Sequence, residues 1–398
     1  MNTFDFLKPL IRKTDSKIVL FVCDGLGGLP KNGKTELETA NTPSMDELAS
    51  RSELGQLIPV IPGITPGSGP GHLGLFGYDP VEYQIGRGVL SALGVEFPIQ
   101  PGDLGVRMNF ATLDADGNVA DRRAGRIPTE ENIRLLEKLK QIEMPEVEIH
   151  LLTEKEYRAV LVLRCAGLSS DLTDRDPQVT GVPPKVMKPN SSAAEKSAVL
   201  LNAFAERATE ILKEEQANTV LMRGFAVYEP LPTFEEVYGL NAAAIASYPM
   251  YRGLGKLVGM STFAVEGSLA EEIDQIEKIW DEYDFFFVHF KYTDSTGEDG
   301  DFDAKVKRTE EADRAVSRIL DLGPDVLAIT GDHSTPSNMM SHSWHPIPIL
   351  VHSKNVRHKT VSGFGETECS MGTFGTIQTK ELMPLLLAHA DKLNKFGA

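Results

Sequence analysis

The hydrophobic pattern divides this chain into two textures. Short apolar runs at 18–23, 219–222, 285–290, 326–330 and 347–352 are each bounded by glycine, proline or charged residues, the pattern of strands buried on both faces. Between them the period lengthens to that of a helix. Over 193–216 apolar residues recur at Val199, Leu200, Ala203, Phe204, Ala208, Ile211 and Leu212, and over 305–320 at Val306, Ala312, Val316 and Ile319. These stripes predict core-facing helices. Thr42-Pro43 reads as cap and first position of a short helix through Leu48. Strands alternating with helices imply an α/β fold with a mainly parallel sheet flanked by helices. From about 103 to 185 the runs shorten, with turn signals at Asp116-Gly117 and Ala166-Gly167 and a Pro183-Pro184 exit. That stretch reads as a smaller inserted α+β domain, 103–185, interrupting a discontinuous core of 1–102 and 186–398. No internal repeat or low-complexity tract is evident.

Several of the buried-type runs end in chemistry. Ile329-Thr-Gly-Asp332-His333 is followed nine residues on by His342, which puts three metal-grade side chains just past a strand end. Lys17-Ile-Val-Leu-Phe-Val-Cys23 runs into Asp24 and a set of glycines, leaving a carboxylate suited to a hard cation. Phe285-Phe-Phe-Val-His289-Phe-Lys291-Tyr-Thr-Asp294-Ser-Thr-Gly-Glu298 ends in an Asp and a Glu four residues apart. Thr65-Pro66-Gly67-Ser68-Gly69-Pro70-Gly71-His72 reads as a rigid, small-residue loop with an unobstructed hydroxyl at Ser68. An unassisted serine is a poor nucleophile, and no Gly-x-Ser-x-Gly elbow is present, so a metal is the expected activator. Any one fragment alone would pass for an ordinary strand-end turn. All of them together point to a metal site.

These residues resemble the alkaline phosphatase superfamily, and within it the archaeal-type cofactor-independent phosphoglycerate mutases. The similarity covers nearly the whole chain. It runs through Val22-Cys-Asp24-Gly-Leu-Gly27, Gly67-Ser68 with His72 and Phe76-Gly77-Tyr78-Asp79-Pro80, Ile85-Gly86-Arg87-Gly88, and Asn109-Phe110-Ala111-Thr112. It continues through Asp121-Arg122-Arg123-Ala-Gly-Arg126, Arg158-Ala159-Val160, Asp174-Arg-Asp176-Pro177, Leu221-Met-Arg223-Gly224, Gly331-Asp332-His333-Ser334 and His342-Ser343 with Pro346-Ile-Pro348. The resemblance implies an alkaline-phosphatase-like core, with Asp24, Ser68, Asp332 and His333 forming one metal site and Asp294, Glu298 and His342 the other. Two divalent ions are implied, Mn²⁺ first, with Mg²⁺, Co²⁺ or Zn²⁺ as alternatives, and no 2,3-bisphosphoglycerate. The implied reaction interconverts 2-phosphoglycerate and 3-phosphoglycerate through phosphorylated Ser68; enclosure against water would fall to the inserted domain. The chain departs from the family pattern at Glu298, where histidine is usual, and in Gly-Ser-Gly-Pro-Gly-His, where Gly-Ser-Asp-Thr-Ala-His is usual. A carboxylate for an imidazole tilts the second site toward Mn²⁺ or Mg²⁺. A metal-dependent phosphatase or another phosphomutase on the same scaffold is the alternative, and a non-enzymatic phospho-ligand binder a more distant one.

Composition fits such an enzyme. At 398 residues the chain exceeds one ordinary core, and a formal charge of −17 argues against a nucleic-acid surface. Locally the balance reverses: Arg87, Arg107, Arg122, Arg123, Arg126, Arg158, Arg164 and Arg175 crowd a stretch where arginine outnumbers lysine. Guanidinium forks match carboxylate and phosphate, so Arg87, Arg122, Arg123, Arg126 and Arg158, with Arg223 and Lys256, are the candidates for holding a small phosphorylated carboxylic acid. Cys23, Cys165 and Cys369 have no paired or metal-type spacing, in keeping with a reducing cytoplasm. Residues 1–17 mix Asp, Lys and Arg and do not read as a secretory signal, and no apolar stretch approaches the roughly 18 residues of a membrane span.

Overall fold

A computed structural model describes residues 3–265 and 267–397. The chain forms two compact units, one of residues 1–84 and 232–398 and the other of residues 85–231.

The first unit is built on an eight-stranded sheet in the order Gly375–Gln378, Glu53–Ile58, Ile347–Ser353, Val326–Thr330, Ile18–Cys23, Phe285–Phe290, Ala242–Ala246, Ser261–Ala264. Only Ile347–Ser353 runs against its neighbours; every other pairing is parallel. The strand over 347–352 therefore forms where expected but antiparallel. The central strand is buried along its whole length because both faces are covered. Val19, Phe21 and Cys23 join Phe286, Val288, Leu327 and Ile329 on one face, against Ile273, Ile276, Val316 and Ile319 of two helices, Leu269–Ile279 and Phe302–Asp321. Fully buried aromatic residues such as Phe286 and Phe287 each contribute about 1.5–3 kcal/mol of transfer free energy. Register places Cys23 beside Phe290 and Val22 beside Thr330, so the carboxyl ends of three adjacent strands open at one edge.

The second unit holds a five-stranded sheet. Leu104–Leu113 lies antiparallel to Arg158–Arg164 and to Thr219–Val227, with Glu148–Lys155 outside Arg158–Arg164 and Val119–Asp121 at the other end. The Thr129–Leu139 and Glu195–Leu212 helices cover one face through Leu135, Leu139, Leu201, Phe204 and Ala208. The Arg87–Gly94 helix crosses Leu104–Leu113 so closely that a Cβ on Gly88 would lie 2.2 Å from the Gly105 carbonyl oxygen.

Three expectations are corrected. The 219–222 run belongs to the antiparallel sheet of the second unit, not to the parallel one, and carries the 193–216 helix with it. A buried apolar run looks the same in either sheet; only its pairing partner distinguishes them. The second unit is accordingly longer than 103–185. Residues 68–75 form a helix, Ser68–Leu75, where a loop was read. Glycine disfavours helix in isolation, but here close packing overrides propensity: a Cβ on Gly71 would sit 2.4 Å from the Asp332 carbonyl oxygen. Finally, Pro43 does open its helix, but Thr42 makes no capping bond; the Asp313 carboxylate accepts from the Met45 N–H at 2.7 Å instead. The Ala242–Ala246 strand escaped the sequence because alanine carries little strand preference.

Candidate active site

The site grows from the three carboxyl ends. Asp24 follows Ile18–Cys23, Asp332 and His333 follow Val326–Thr330, and Lys291 follows Phe285–Phe290, leading into the Tyr292–Glu298 helix with Asp294 in its first turn. Asp24, Asp332, His333 and Asp294 are all essentially inaccessible to solvent. Their acceptor atoms converge: His333 Nε2 lies 3.2 Å from Asp24 Oδ1 and 3.2 Å from Asp332 Oδ2. None of these three atoms makes a hydrogen bond among the described residues. Buried polar atoms that lack hydrogen-bond partners and face one another at ion-pair distance are the arrangement a cation site demands. Asp24, Asp332 and His333 form one candidate metal group; Asp294 and His342, with His333 in reach of both groups, form a second.

The surroundings aim these atoms. The Asp24 Oδ2 atom accepts from the Tyr251 hydroxyl and from Lys291 Nζ at 3.0 Å, leaving Oδ1 toward His333. Lys291 also donates to Asp294 Oδ2. Burial opposes the charge on Asp24, but Lys291, His289 and His333 outweigh it and hold the carboxyl well below its ordinary range. For His333 burial works against the proton, yet Asp332 and Asp24 raise its pKa to about 9. That proton occupies the position a cation would take. His342 Nδ1 lies 2.9 Å from the Pro66 carbonyl, so Nδ1 donates there and Nε2 is free, 3.5 Å from Asp294 Oδ1. Its ring stacks on that of His333 at 3.6 Å.

Ser68 is the first residue of its helix and is 5% exposed. One turn on, His72 donates from Nδ1 to the Ser68 carbonyl at 2.8 Å and lies 3.2 Å from Asp332 Oδ2, tying the serine helix to the first metal group. Glu298 stands at the rim: its side chain is 54% exposed and Oε1 is 3.7 Å from His342 Nε2. His289 lies behind Asp24 and stacks on Tyr251 at 3.5 Å; His345 bonds the Ser343 hydroxyl at 3.1 Å. Lys256 is half-buried on the Pro249–Leu257 helix.

In the second unit the arginines sort into two kinds. Arg164 forks onto Asp103 at 2.8 and 2.7 Å, a resident partner that explains it without a ligand. Arg122 forks onto buried Asp176 at 3.0 and 2.7 Å, and Arg223 Nε lies 3.9 Å from the same carboxylate. Burial lowers the Arg223 pKa, Asp176 raises it, and Arg87 and Arg122 lie near enough to lower it further. Asp174 raises it as well, so Arg87, Arg122 and Arg223 share their surroundings with the two carboxylates Asp174 and Asp176. Arg158 stacks over Tyr157 at 4.9 Å, and Arg123 and Arg126 flank the left-handed turn at Gly125. Sequence reasoning overlooked Tyr251, Lys291, His72 and Thr335. Of these, Lys291 had a local signal, three residues before Asp294, and His72 lay in the serine segment's motif.

A mainly parallel α/β sheet with two converging groups of cation ligands at its carboxyl edge defines the class: an α/β protein equipped to hold divalent metal. The chain belongs to the 2,3-bisphosphoglycerate-independent phosphoglycerate mutase family, which are isomerases, and residues 49–218 match that family's pattern directly. A Thermus thermophilus protein of that name is 52% identical over 406 residues, covering 100% of both chains, and one from Thermotoga maritima is 50% identical over 99% of each. Among solved structures, a Pyrococcus horikoshii protein superposes with a TM-score of 0.83 at 32% identity, covering 96% of this chain and 99% of its own. The cofactor-independent phosphoglycerate mutase of Thermoplasma acidophilum gives 0.68 at 29%, covering 94% and 100%. No helix among the described residues is long and apolar enough to cross a membrane.

Proposed function

We propose that this chain interconverts 2-phosphoglycerate and 3-phosphoglycerate through phosphorylated Ser68, with Asp24, Asp332 and His333 holding one divalent cation and Asp294, His342 and Glu298 the other. The observation that carries this reading is the convergence of unpaired Asp24 Oδ1, Asp332 Oδ2 and His333 Nε2 beside the helix that Ser68 begins. Cations bound there, Mn²⁺ foremost given so many carboxylates, would supply the positive charge that lowers the serine pKa and offsets charge on the phosphoryl oxygens.

Ser68 Oγ loses its proton and forms a bond to phosphorus as the bond from phosphorus to one glycerate oxygen breaks, and that oxygen takes up a proton. In the return step the other glycerate hydroxyl gives up its proton, bonds to phosphorus and frees Ser68. Backbone N–H groups at the start of the Ser68–Leu75 helix favour the anion carried on that serine. Arg87, Arg122, Arg123, Arg126, Arg158 and Arg223, with Lys256, serve as partners of the substrate's carboxylate and phosphate; Arg87 and Arg122 lie near enough to Arg223 to act on its charge, which supports these three as a cluster. A reducing cytoplasm is the proposed setting.

The test couples the purified protein to enolase with 3-phosphoglycerate and Mn²⁺, without bisphosphoglycerate, while free phosphate is assayed. Enolase product without phosphate release is expected, abolished by exhaustive chelation and restored by Mn²⁺. Ser68→Ala should lose turnover by several orders of magnitude. Phosphate as the main product would make the chain a phosphatase, and full activity of Ser68→Ala would exclude the covalent route.

A further inference from the structure

Thr335 makes the only contacts that join the two candidate metal groups through one hydroxyl among the hydrogen bonds described. Its Oγ1 lies 2.8 Å from Asp294 Oδ1 and 2.9 Å from His333 Nδ1, and Thr335 and His333 have no solvent exposure, with Asp294 at 1%. A hydroxyl has one proton. The Asp294 carboxylate can only accept, so the Thr335 O–H donates to it, and the Thr335 oxygen must accept from His333. Nδ1 of His333 therefore holds its proton toward Thr335, and Nε2, facing Asp24 and Asp332, is the nitrogen left to bind a cation once its own proton is displaced.

The hydroxyl is held from every side. The Thr335 N–H donates to Gly27 O at 3.0 Å, its carbonyl accepts from buried Lys305 Nζ at 2.8 Å, and a Cβ on Gly25 would come within 2.5 Å of Oγ1. Lys305 also donates to Gly25 O at 2.9 Å and Gly27 O at 3.0 Å, locking the loop after Asp24 to the segment that carries His333. The position of Oγ1 is thus set by backbone, before any metal arrives.

The geometry points to Thr335 as a positioning residue for both metals at once: it fixes which nitrogen of His333 serves the first ion and the rotation of the Asp294 carboxylate that serves the second. The inference rests on the two-cation reading above. A residue serving one group would, when changed, weaken one ion; Thr335 should weaken both. Thr335→Val keeps the shape and removes the hydroxyl, leaving His333 Nδ1–H without its acceptor and Asp294 Oδ1 without its hydroxyl donor in a dry site. Thr335→Ser keeps the hydroxyl.

Calorimetric titration of the metal-free protein with Mn²⁺ tests this. Both ions should bind Thr335→Val about 10–100-fold more weakly than wild type, the range expected when a partner orienting a metal ligand is lost, and Thr335→Ser should stay near wild type. Labelled-histidine NMR of the Zn²⁺-loaded wild type should show a proton on His333 Nδ1. Unchanged binding of both ions to Thr335→Val, loss confined to one ion, or a bare Nδ1 in the wild type would each overturn the inference. If Thr335→Val does not fold, the wild-type NMR and Thr335→Ser decide. Wild-type protein that takes up no Mn²⁺ would refute the two-cation reading itself, and this inference with it.

Discussion

Cation uptake at the Asp24, Asp332 and His333 group should expel a proton. His333 is buried, which disfavours its charge, but Asp332 and Asp24 lie 3.2 Å from Nε2 and bring its pKa to about 9. At pH 7 the ring is about two units below that value and roughly 99% protonated, so displacing the proton costs about 2.7 kcal/mol, or roughly 100-fold in apparent affinity. The dissociation constant for the first ion should therefore tighten about tenfold from pH 7 to pH 8 and level off above 9. Titrations at pH 7 in buffers of different ionisation enthalpy should report about one proton released per ion at this group. Release well below one proton, or an affinity that does not change between pH 7 and 8, would refute the reasoning. The metal-free fold has the matching dependence. A histidine raised from about 6.5 contributes stability fully present below pH 6.5 and lost as pH rises through 9, so the metal-free protein should melt lower at pH 9.5 than at pH 7.

Glu298→Ala should weaken the second ion, measured by metal stoichiometry after dialysis, and Glu298→His should retain activity while shifting preference toward Zn²⁺ or Co²⁺; unchanged stoichiometry and activity in Glu298→Ala would make this half-exposed residue a bystander. Glu366 is buried, which raises its pKa to about 7, although Thr35 and the Gly28 N–H bond its carboxyl. Stability is therefore lost progressively as pH rises from about 4.5 to 7 and stays lost above, so Glu366→Gln should raise unfolding stability by up to about 3 kcal/mol at pH 8 and by little at pH 4, seen by denaturant titration; an equal effect at both pH values would show that charge is not the cause.

The strands that carry the candidate metal ligands were legible to the residue. Ile18–Cys23, Phe285–Phe290 and Val326–Thr330 coincide with the apolar runs that predict them, because a strand buried on both faces needs every side chain apolar and announces itself without context. Asp24, Asp294, Asp332, His333 and His342 stood out as metal-compatible groups past those strands, since carboxyl ends of parallel strands are where polar groups can emerge from a dry sheet, and the structure brings them into two groups that could hold an ion. The family itself was legible in the longer motifs.

Other features depended on partners distant in sequence. The Thr219–Val227 strand has the pattern of its parallel counterparts and joins Leu104–Leu113 in the other unit, a choice made by register across more than a hundred residues. Glycines 69, 71 and 74 argue against a helix locally, and the Ser68–Leu75 helix forms around the space they leave for Asp332 and Thr379. The amino acids in the chain determined which groups could bind metal. Tertiary structure decided which of their atoms are free to do so: Tyr251 and Lys291 occupy Asp24 Oδ2, Pro66 occupies His342 Nδ1 and Thr335 occupies His333 Nδ1, so the opposite atom of each is the one a cation could meet.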